Sequence, residues 1–388
     1  LMALLGITRL RGGDAQAGLK DLEMAAEKAP TDAGVRSELA KAYMETGDTL
    51  LAINLLESSL EKANEQHQAE ALLILAYLRA SEFDKAIDLA RRLSAQFPDN
   101  PLPHISIGMA SEGKQDFATA RRSYNKVLSF KPDDIQAILG HARLDMKEGN
   151  TAAARQRYQA VLALQPDHAG VLVSLAYLLD REGDTDEALE LVEKARIADA
   201  ELLEPRLILS DFYLRRGEAR EALEYAREAQ RIDPKDRRVL LVLGKAQLGV
   251  GDPAAKQTFE ELAEREPDNP ESHYYLAMVK VKAGDLRGAR NSLHKVLKLN
   301  PDHNQSRLVL GKVELKAENI AAALEIARQL QKTIPDSAAG YLLEGDVMMA
   351  RHESEKALSA YQSALSRARN SEAVIKVNKV QQKLGNAK

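Results

Sequence analysis

Hydrophobic and polar positions follow one another along the chain in the pattern of short amphipathic helices arranged in pairs. Within residues 203–236, two stretches with apolar residues at helical spacing are separated by Gly217 and ended by Pro234. The apolar positions are Leu207, Leu209, Tyr213 and Leu214 in the first stretch and Ala222, Ala226 and Ala229 in the second. A pair of short helices cannot bury its own apolar face, so the pattern predicts a neighbouring pair on each side.

The same pattern recurs along the chain at a step of 34 residues, with one step of 33. Prolines mark the step at 30, 98, 132, 166, 234, 267, 301 and 335, and Asn64 and Ala200 occupy two further slots. We number each repeat so that this proline is position 32. Position 20 is then glycine or alanine throughout, and position 8 is small except at Ile74. Small residues at both positions predict a close crossing of the two helices in each repeat.

The period divides the chain into eleven repeats and a C-terminal segment. The repeats are residues 1–32, 33–66, 67–100, 101–134, 135–168, 169–202, 203–236, 237–269, 270–303, 304–337 and 338–371. Residues 372–388 are predicted to be a capping helix or the start of a further repeat. No Ser/Gly-rich linker interrupts the series, so we expect one continuous array. Because the chain opens on Leu1, within a helix that lacks its start, we expect the sequence to be part of a longer protein.

The repeat resembles the tetratricopeptide repeat, a 34-residue helix–turn–helix with a Trp-type position followed by Leu-Gly, Tyr, Ala, an aromatic residue and Pro. The one plain departure is that the chain contains no Trp. The resemblance implies an all-α, right-handed superhelix in which the first helix of each repeat lines a concave side. It also implies that glycines such as Gly47, Gly149, Gly183, Gly217, Gly251 and Gly284 end the first helices.

Composition narrows the classes of function. The net charge is −4 with both signs interspersed, which gives no indication of a nucleic-acid partner. No apolar run approaches the roughly 20 residues that span a bilayer, so we expect no membrane contact by these residues. The absence of cysteine excludes disulfides, thiol catalysis and Cys-based zinc sites.

We find no constellation of residues that indicates catalysis, a metal or a cofactor. His104 and His141 lie on first helices of adjacent repeats, and we interpret them as packed or hydrogen-bonded rather than as metal ligands. The acidic residues are interpreted as solvated helix faces that pair with Lys and Arg. The arginine pairs at 91–92, 121–122, 215–216 and 237–238 are interpreted as surface charge.

The resemblance implies that positions 2, 5, 9 and 12 face the groove. The candidate partner-binding residues are Arg143, Tyr177, Leu207, Asp211, Leu214, Leu241, Lys245, Leu248, Tyr274, Met278, Leu308, Lys312, Leu342 and Asp346. One interpretation is an apolar track through repeats seven to eleven, flanked by alternating charges, which binds an extended or helical segment. The other is that positions 5 and 12 close neighbouring first helices together and are mostly covered.

These observations predict a non-catalytic scaffold for protein or peptide segments. The opening LLGITRLRGGDAQAGLKDLEMAAEKAP and the Ala-rich second helices also resemble the tetratricopeptide lipoproteins of bacterial PEP-CTERM/exosortase systems, which are linked to exopolysaccharide. That resemblance implies the cell envelope or periplasm, an outer-membrane lipid anchor outside these residues, and partners in sorting or export. The alternatives are the repeat region of a glycosyltransferase-type enzyme and a cytoplasmic regulator or co-chaperone.

Overall fold

The computed structural model describes residues 1–60, 66–367 and 371–385. In this part of the chain there are 23 α-helices and no strands. None of these helices combines the length and the apolar character needed to cross a membrane. Asn64, which takes the place of a boundary proline, lies outside the described residues, as do residues 386–388 of the predicted C-terminal segment.

The structure divides into two compact units, Leu1–Ala198 and Asp199–Lys388, here called the N-terminal and the C-terminal unit. The N-terminal unit contains α1 (Met2–Arg11), α2 (Ala15–Lys28), α3 (Ala33–Thr46), α4 (Thr49–Leu60), α5 (Gln66–Arg79), α6 (Phe83–Gln96), α7 (Pro101–Gly113), α8 (Phe117–Phe130), α9 (Ile135–Lys147), α10 (Thr151–Leu164), α11 (Ala169–Glu182) and α12 (Thr185–Ala198). The expectation of one continuous array concerns the relation between the two units, and it stays a prediction.

The C-terminal unit contains α13 (Leu203–Arg215), α14 (Ala219–Ile232), α15 (Arg237–Val250), α16 (Ala254–Arg265), α17 (Pro270–Lys282), α18 (Leu286–Leu299), α19 (Asn304–Lys316), α20 (Ile320–Thr333), α21 (Ala338–Ala350), α22 (Ser354–Arg367) and α23 (Ser371–Gly385). Each predicted repeat therefore holds one pair of helices, an odd-numbered first helix and an even-numbered second helix. In the short repeat 237–269, the second helix α16 has 12 residues, whereas α14 and α18 have 14.

The two helices of each repeat cross where the sequence has its small residues. Ala222 and Ala255, at position 20, are at most 1% exposed. At position 8, a Cβ added to Gly108 would lie 2.4 Å from the Tyr124 ring, and one added to Gly244 would lie 2.6 Å from the Phe259 ring. Both aromatic rings belong to position 24 of the same repeat, so the glycine makes the space that the ring fills.

The turn between the two helices depends on a left-handed residue at position 15. All six glycines named above for the turns have positive φ, between 78° and 97°. The same conformation occurs at four residues that are not glycine: Ser81, Gln115, Glu318 and His352, with φ between 59° and 62°. A side chain makes this conformation unfavourable, by roughly 1–2 kcal/mol for most residue types. The turn geometry therefore persists in repeats whose sequence does not favour it.

Replacing Glu318 by Gly should stabilise the C-terminal unit by up to about 1 kcal/mol, because glycine adopts φ near 59° without strain. Part of the gain is offset by the greater entropy of glycine in the unfolded chain. Urea unfolding followed by circular dichroism would measure the change. The reverse substitution, Gly149→Ala, is the control and should destabilise the N-terminal unit. A Glu318→Gly variant that is less stable than the parent chain would contradict this account of the turns.

Candidate partner-binding faces on the first helices

Residues at positions 5, 9 and 13 of a first helix are one helical turn apart and lie on the same face. Several neighbouring first helices lie side by side, since α5 contacts α7, α7 contacts α9, α13 contacts α15, and α19 contacts α21. Equivalent positions therefore form rows that run across the helices. These rows contain the residues that the sequence proposed for partner binding.

In the C-terminal unit, most of the apolar candidates are partly covered by their own chain. Leu207 and Leu214 pack against the core around Ala222 and Leu243, and Leu241 and Leu248 pack against the core around Phe259. Leu308 packs against Leu330 and Leu343. These five leucines are half-buried. They hold neighbouring helices together while leaving part of each side chain at the surface, so the structure lies between the two interpretations.

Leu342 departs furthest from the expectation of an exposed apolar track. Its side chain is only 8% exposed and belongs to the core cluster that contains Val347, Tyr361 and Val377. The terminal helix α23 supplies Val377 to this cluster and so helps to cover the first-helix face of α21. Leu342 is therefore covered mainly by its own chain, as the second interpretation of position 5 predicts, and its part in partner binding stays a prediction.

The candidates at position 9 are polar in all but one helix of the C-terminal unit. Asp211 is exposed and pairs with Arg215 at 3.2 Å, while Lys312 is exposed at the corresponding place on α19. Met278 is half-buried. Lys245 is half-buried as well, 3.4 Å from Glu271 and with its ammonium 4.8 Å from the centre of the Tyr275 ring. Position 9 is therefore negative on α13 and α21 and positive on α15 and α19, and its part in partner binding stays a prediction.

Asp346, also at position 9, and Tyr274, at position 5, are tied to neighbouring side chains. Asp346 accepts hydrogen bonds from Lys376 at 2.7 Å and from the Tyr361 hydroxyl at 2.7 Å. Tyr274 is half-buried between the rings of Tyr275 and His303, whose centres lie 5.3 and 5.4 Å away. The Asp346 carboxylate and the Tyr274 ring are therefore already in contact with neighbouring side chains, and neither is fully available to a partner.

Four of the candidates surround a cleft of about 310 Å³ in the C-terminal unit. Its lining includes Leu308, Lys312, Leu342 and Asp346, together with Ser337 at the start of α21 and Glu372 on α23. The floor is apolar and Lys312 is exposed, whereas the Asp346 and Glu372 carboxylates both pair with Lys376 at 2.7 Å. Such a cleft suits an apolar or uncharged side chain of a partner. This cleft brings together candidates that are 34 residues apart in the sequence.

In the N-terminal unit the two candidates have different environments. Tyr177 is 58% exposed, and the Arg181 guanidinium lies 5.8 Å from the centre of its ring. Arg143 instead donates a hydrogen bond of 2.9 Å to Glu112 and one of 3.3 Å to the Tyr124 hydroxyl. Tyr124 is fully buried and also donates to the Glu112 carboxylate. Arg143 therefore joins α9 to α7 and α8 rather than standing free in the groove.

Two residues outside the candidate set belong to the same face. Leu75 and Met109 occupy position 9 of α5 and α7, and they are 43% and 41% exposed. With Tyr177 they form a row of exposed apolar side chains in the N-terminal unit. The sequence contains a signal for Leu75 and Met109, since they share position 9 with Tyr177. The predicted apolar track, however, lay in repeats seven to eleven.

The interpretation of the acidic residues as solvated faces is wrong at several places. Asp145 is 2% exposed and Glu314 is 5% exposed, both at position 11 of a first helix. Arg121 pairs with Asp145 at 3.0 Å, and Arg290 pairs with Glu314. In each pair the arginine stands at position 21 of the preceding repeat. The hydrogen bond from Arg290 holds the pKa of Glu314 below its usual value. These pairs, each with a buried carboxylate and a half-buried arginine, fix the stacking of one repeat on the next.

The arginine pairs read from the sequence are largely engaged within the chain. Arg121 also contacts Glu148 at 2.8 Å. Arg237 pairs with Glu266 at 2.8 Å, and Arg238 pairs with Glu204 at 2.6 Å. These arginines are therefore paired with carboxylates of the same chain, and Arg237 and Arg238 lie at the surface as the sequence predicts.

The histidines of α7 and α9 do not form a site together. His104 hydrogen-bonds the Pro98 carbonyl at 2.9 Å. His141 is 2% exposed, and its ring centre lies 5.8 Å from that of Tyr124. Burial, with Arg157 and Arg121 nearby, lowers the pKa of His141 to about 4 against the opposing effect of Asp145. Across the described ranges, no three His, Asp or Glu side chains are grouped so as to hold a metal ion.

The buried neutral His141 should make the N-terminal unit lose stability as the pH falls from about 6.5 to about 4. In this window the unfolded chain binds a proton at His141 that the folded chain does not, so acid favours unfolding. Thermal melts at several pH values would show the effect. His141→Gln should flatten the slope, and His352→Gln, at an exposed turn, should not. An unchanged slope in His141→Gln would contradict the assignment.

The geometry defines an all-helical scaffold of stacked hairpins. Family models described as tetratricopeptide repeats match residues 37–101, 71–135, 113–171, 145–206 and 179–248, and a tetratricopeptide repeat-like domain model matches 243–388. Together these matches extend from residue 37 to the end, so the chain belongs to the tetratricopeptide repeat proteins, which generally act as non-catalytic scaffolds. No curated protein matches the chain.

Solved structures agree with this fold. A tetratricopeptide repeat protein from Parabacteroides merdae matches with a TM-score of 0.52 and 17% identity, covering 64% of this chain and 98% of that one. A chain of the APC/C hetero-tetramer Cut9-Hcn1 matches with a TM-score of 0.50 and 14% identity, covering 98% of this chain and 89% of that one. At these identities the likeness shows the fold alone. The predicted fold class, all-α with tetratricopeptide hairpins, is confirmed.

Proposed function

We propose that this chain is a non-catalytic scaffold that binds protein segments on the first-helix faces of its repeats. The observation that carries the proposal is the cleft of about 310 Å³ between α19, α21 and α23. The cleft presents apolar side chains from position 5 and charged side chains from position 9. An apolar surface with a few polar groups around it can bind and orient a side chain of a partner segment.

Partial burial of the leucines is compatible with binding. A half-buried leucine is held in place by its core neighbours, so little side-chain entropy is lost when a partner covers the remainder. Leu308 is such a residue, and Lys312 beside it is exposed. The rigid apolar floor would supply affinity, and the charges at position 9 would set the orientation and the choice of partner.

The proposal includes a setting, the export or sorting of proteins in a bacterial exopolysaccharide system. It is supported by the similarity of the opening repeat, residues 4–30, and of the Ala-rich second helices to the lipoproteins of such systems. Export machinery and exported proteins are then the natural partners.

A pull-down from envelope extract tests the binding role. The double variant Met278→Glu with Lys312→Glu changes two position-9 residues and should reduce recovery of the bound protein about tenfold, as expected when central contacts of an interface are lost. The control, Lys332→Glu with Leu365→Glu, changes exposed residues of second helices and should bind like the parent chain. Circular dichroism should show equal melting for both. Equal losses in the two variants would contradict the proposal.

The setting is tested separately, in cells of the organism that encodes the full-length protein. External protease, added after the outer membrane is permeabilised, should digest it while a cytoplasmic marker stays intact. If the protease digests the protein only after the inner membrane is lysed, the envelope location is contradicted. The proposed binding of protein segments is not affected by that result.

A further inference from the structure

The N-terminal unit carries three parallel rows of side chains across α5, α7, α9 and α11. Position 5 contributes half-buried apolar residues, and position 9 contributes the exposed Leu75, Met109 and Tyr177, interrupted by Arg143. Position 13, one turn further along each helix, contributes cations from three of the four helices. The half-buried row is Ala71, Ile105, Leu139 and Val173, and the cations are Arg79, Lys147 and Arg181.

The exposed row is unusual within the chain. Folded proteins expose single apolar side chains freely, but an equivalent position that is apolar and exposed in three of four first helices indicates a binding surface. In the C-terminal unit the same position is occupied by Asp211, Lys245, Lys312 and Asp346, with Met278 the one apolar member. The apolar row is therefore a property of the N-terminal unit and not of the repeat in general.

The cations at position 13 form no ion pair with a carboxylate in the described part of the chain. Within residues 1–60 and 66–367, none of Arg79, Lys147 and Arg181 takes part in an ion pair, whereas Arg121 and Arg155 of the same unit do. Lys147 lies 5.3 Å from the centre of the Phe117 ring, and Arg181 lies 5.8 Å from that of Tyr177. The aromatic contacts position the charges but leave them uncompensated.

We propose that the N-terminal unit binds an extended segment that carries apolar side chains along one edge and acidic side chains along the adjacent edge. This deepens the scaffold function and rests on it. The apolar edge covers Leu75, Met109 and Tyr177, and the acidic edge faces Arg79, Lys147 and Arg181. Charge complementarity selects an acidic partner over a basic one, because a basic segment would place like charges next to uncompensated cations.

The spacing of the helices suits an extended backbone. Packed helices lie about 8–10 Å apart, and a polyproline II segment advances about 9 Å in the three residues of one turn. Every third side chain would then meet the next helix, and the residue before or after it would point toward the cations. A segment with a three-residue apolar and acidic period matches this arrangement.

The test uses a synthetic peptide of four Leu-Ser-Glu triplets and, as its charge partner, four Leu-Ser-Lys triplets, each labelled for fluorescence anisotropy. The Leu-Ser-Glu peptide should bind the whole chain about tenfold more tightly than the Leu-Ser-Lys peptide, the size expected when a few charge contacts are reversed. The difference should shrink as salt rises from about 0.05 M to about 0.5 M, because the cations are exposed.

Variants locate the binding. Met109→Glu with Tyr177→Glu should weaken Leu-Ser-Glu binding about tenfold, since both apolar contacts are lost. The control, Leu50→Glu with Leu51→Glu, changes two equally exposed leucines of the second helix α4, 67% and 48% exposed, and should bind like the parent chain. All four residues are at the surface, so melting should not change.

Several outcomes would overturn this inference and leave the scaffold function standing. One is preference for the Leu-Ser-Lys peptide, and another is binding that is lost in Met278→Glu with Lys312→Glu but kept in Met109→Glu with Tyr177→Glu. A third is absence of peptide binding while the envelope pull-down still recovers a protein. A dimer in sedimentation that Met109→Glu with Tyr177→Glu disperses would identify a second copy of the chain as the occupant, which also overturns it.

Discussion

Phe259→Ala is expected to destabilise the C-terminal unit by about 3–5 kcal/mol, the range for removing a fully buried aromatic side chain. Phe259 is 0% exposed and stacks on Tyr275, with ring centres 5.3 Å apart and an interplanar angle of 13°. It also fills the space left by Gly244, where an added Cβ would come within 2.6 Å of the ring. The surrounding helices cannot close this cavity, because their crossing is already set by small residues.

Urea unfolding would measure the loss, together with hydrogen exchange to show which helices open. The matched control is Phe97→Ala, because Phe97 is 39% exposed and its removal leaves no closed cavity. We expect the control to cost less than about 1 kcal/mol, as surface substitutions usually do. Similar losses in the two variants would mean that the crossing of α15 and α16 is not packed as described.

Ala222→Trp is expected to open the hairpin of α13 and α14, at a cost of about 3 kcal/mol, the upper part of the usual range for overpacking. Ala222 is 0% exposed, and its carbonyl accepts a hydrogen bond of 3.0 Å from the Ser210 hydroxyl on the facing helix. Ser210 stands at position 8 and Ala222 at position 20, so an indole has no room without separating the two backbones.

Hydrogen exchange would show which helices Ala222→Trp destabilises, since repeat proteins can open locally. Amides of α13 and α14 should lose protection, and those of the N-terminal unit should keep it. The control is Ala254→Trp, which puts the same side chain at an exposed position on α16. Full protection of α13 and α14 in Ala222→Trp would show that the crossing is loose.

The sequence predicts the helix pairs well because each depends on neighbours in the chain. A helix needs its apolar period, a turn needs its left-handed residue, and a crossing needs small residues such as Ala222, and all of these recur at a fixed period. Even where Glu318 replaces the turn glycine, the flanking helices impose the same turn. Because these local signals recur in eleven repeats, the helix assignment in each repeat supports the assignment in the others.

The sequence predicts less about which polar residues are buried. Arg121 and Asp145 are 24 residues apart and meet only because one repeat stacks on the next in a particular register. Glu112 looked like a groove-facing charge at position 12, but it is 8% exposed and bound by Tyr124 and Arg143. Such pairs depend on the side-chain conformations of two repeats at once, which a repeat pattern does not determine.

The exposure of the candidate residues differs from the sequence-based expectation, and their role in partner binding stays a prediction. The sequence assigned the apolar track to repeats seven to eleven, where the structure half-buries Leu241 and Leu308 and buries Leu342. The more exposed apolar row, which includes Met109, lies in the N-terminal unit. Position 5 is half-buried in all four of the N-terminal helices that carry this row, whereas Leu75, Met109 and Tyr177 at position 9 stay exposed. This distinction comes from packing rather than from hydrophobicity.

Site-specific photo-crosslinking is the most direct test of binding on the first-helix faces. A photoreactive amino acid would replace Met109, Tyr177 or Lys312 on first helices, or Leu50 or Leu365 on second helices, in the full-length protein within its own cells. The account predicts crosslinks to another protein from the three first-helix positions and none from the two second-helix positions. Crosslinks from Leu50 and Leu365, with none from Met109, Tyr177 and Lys312, would contradict it.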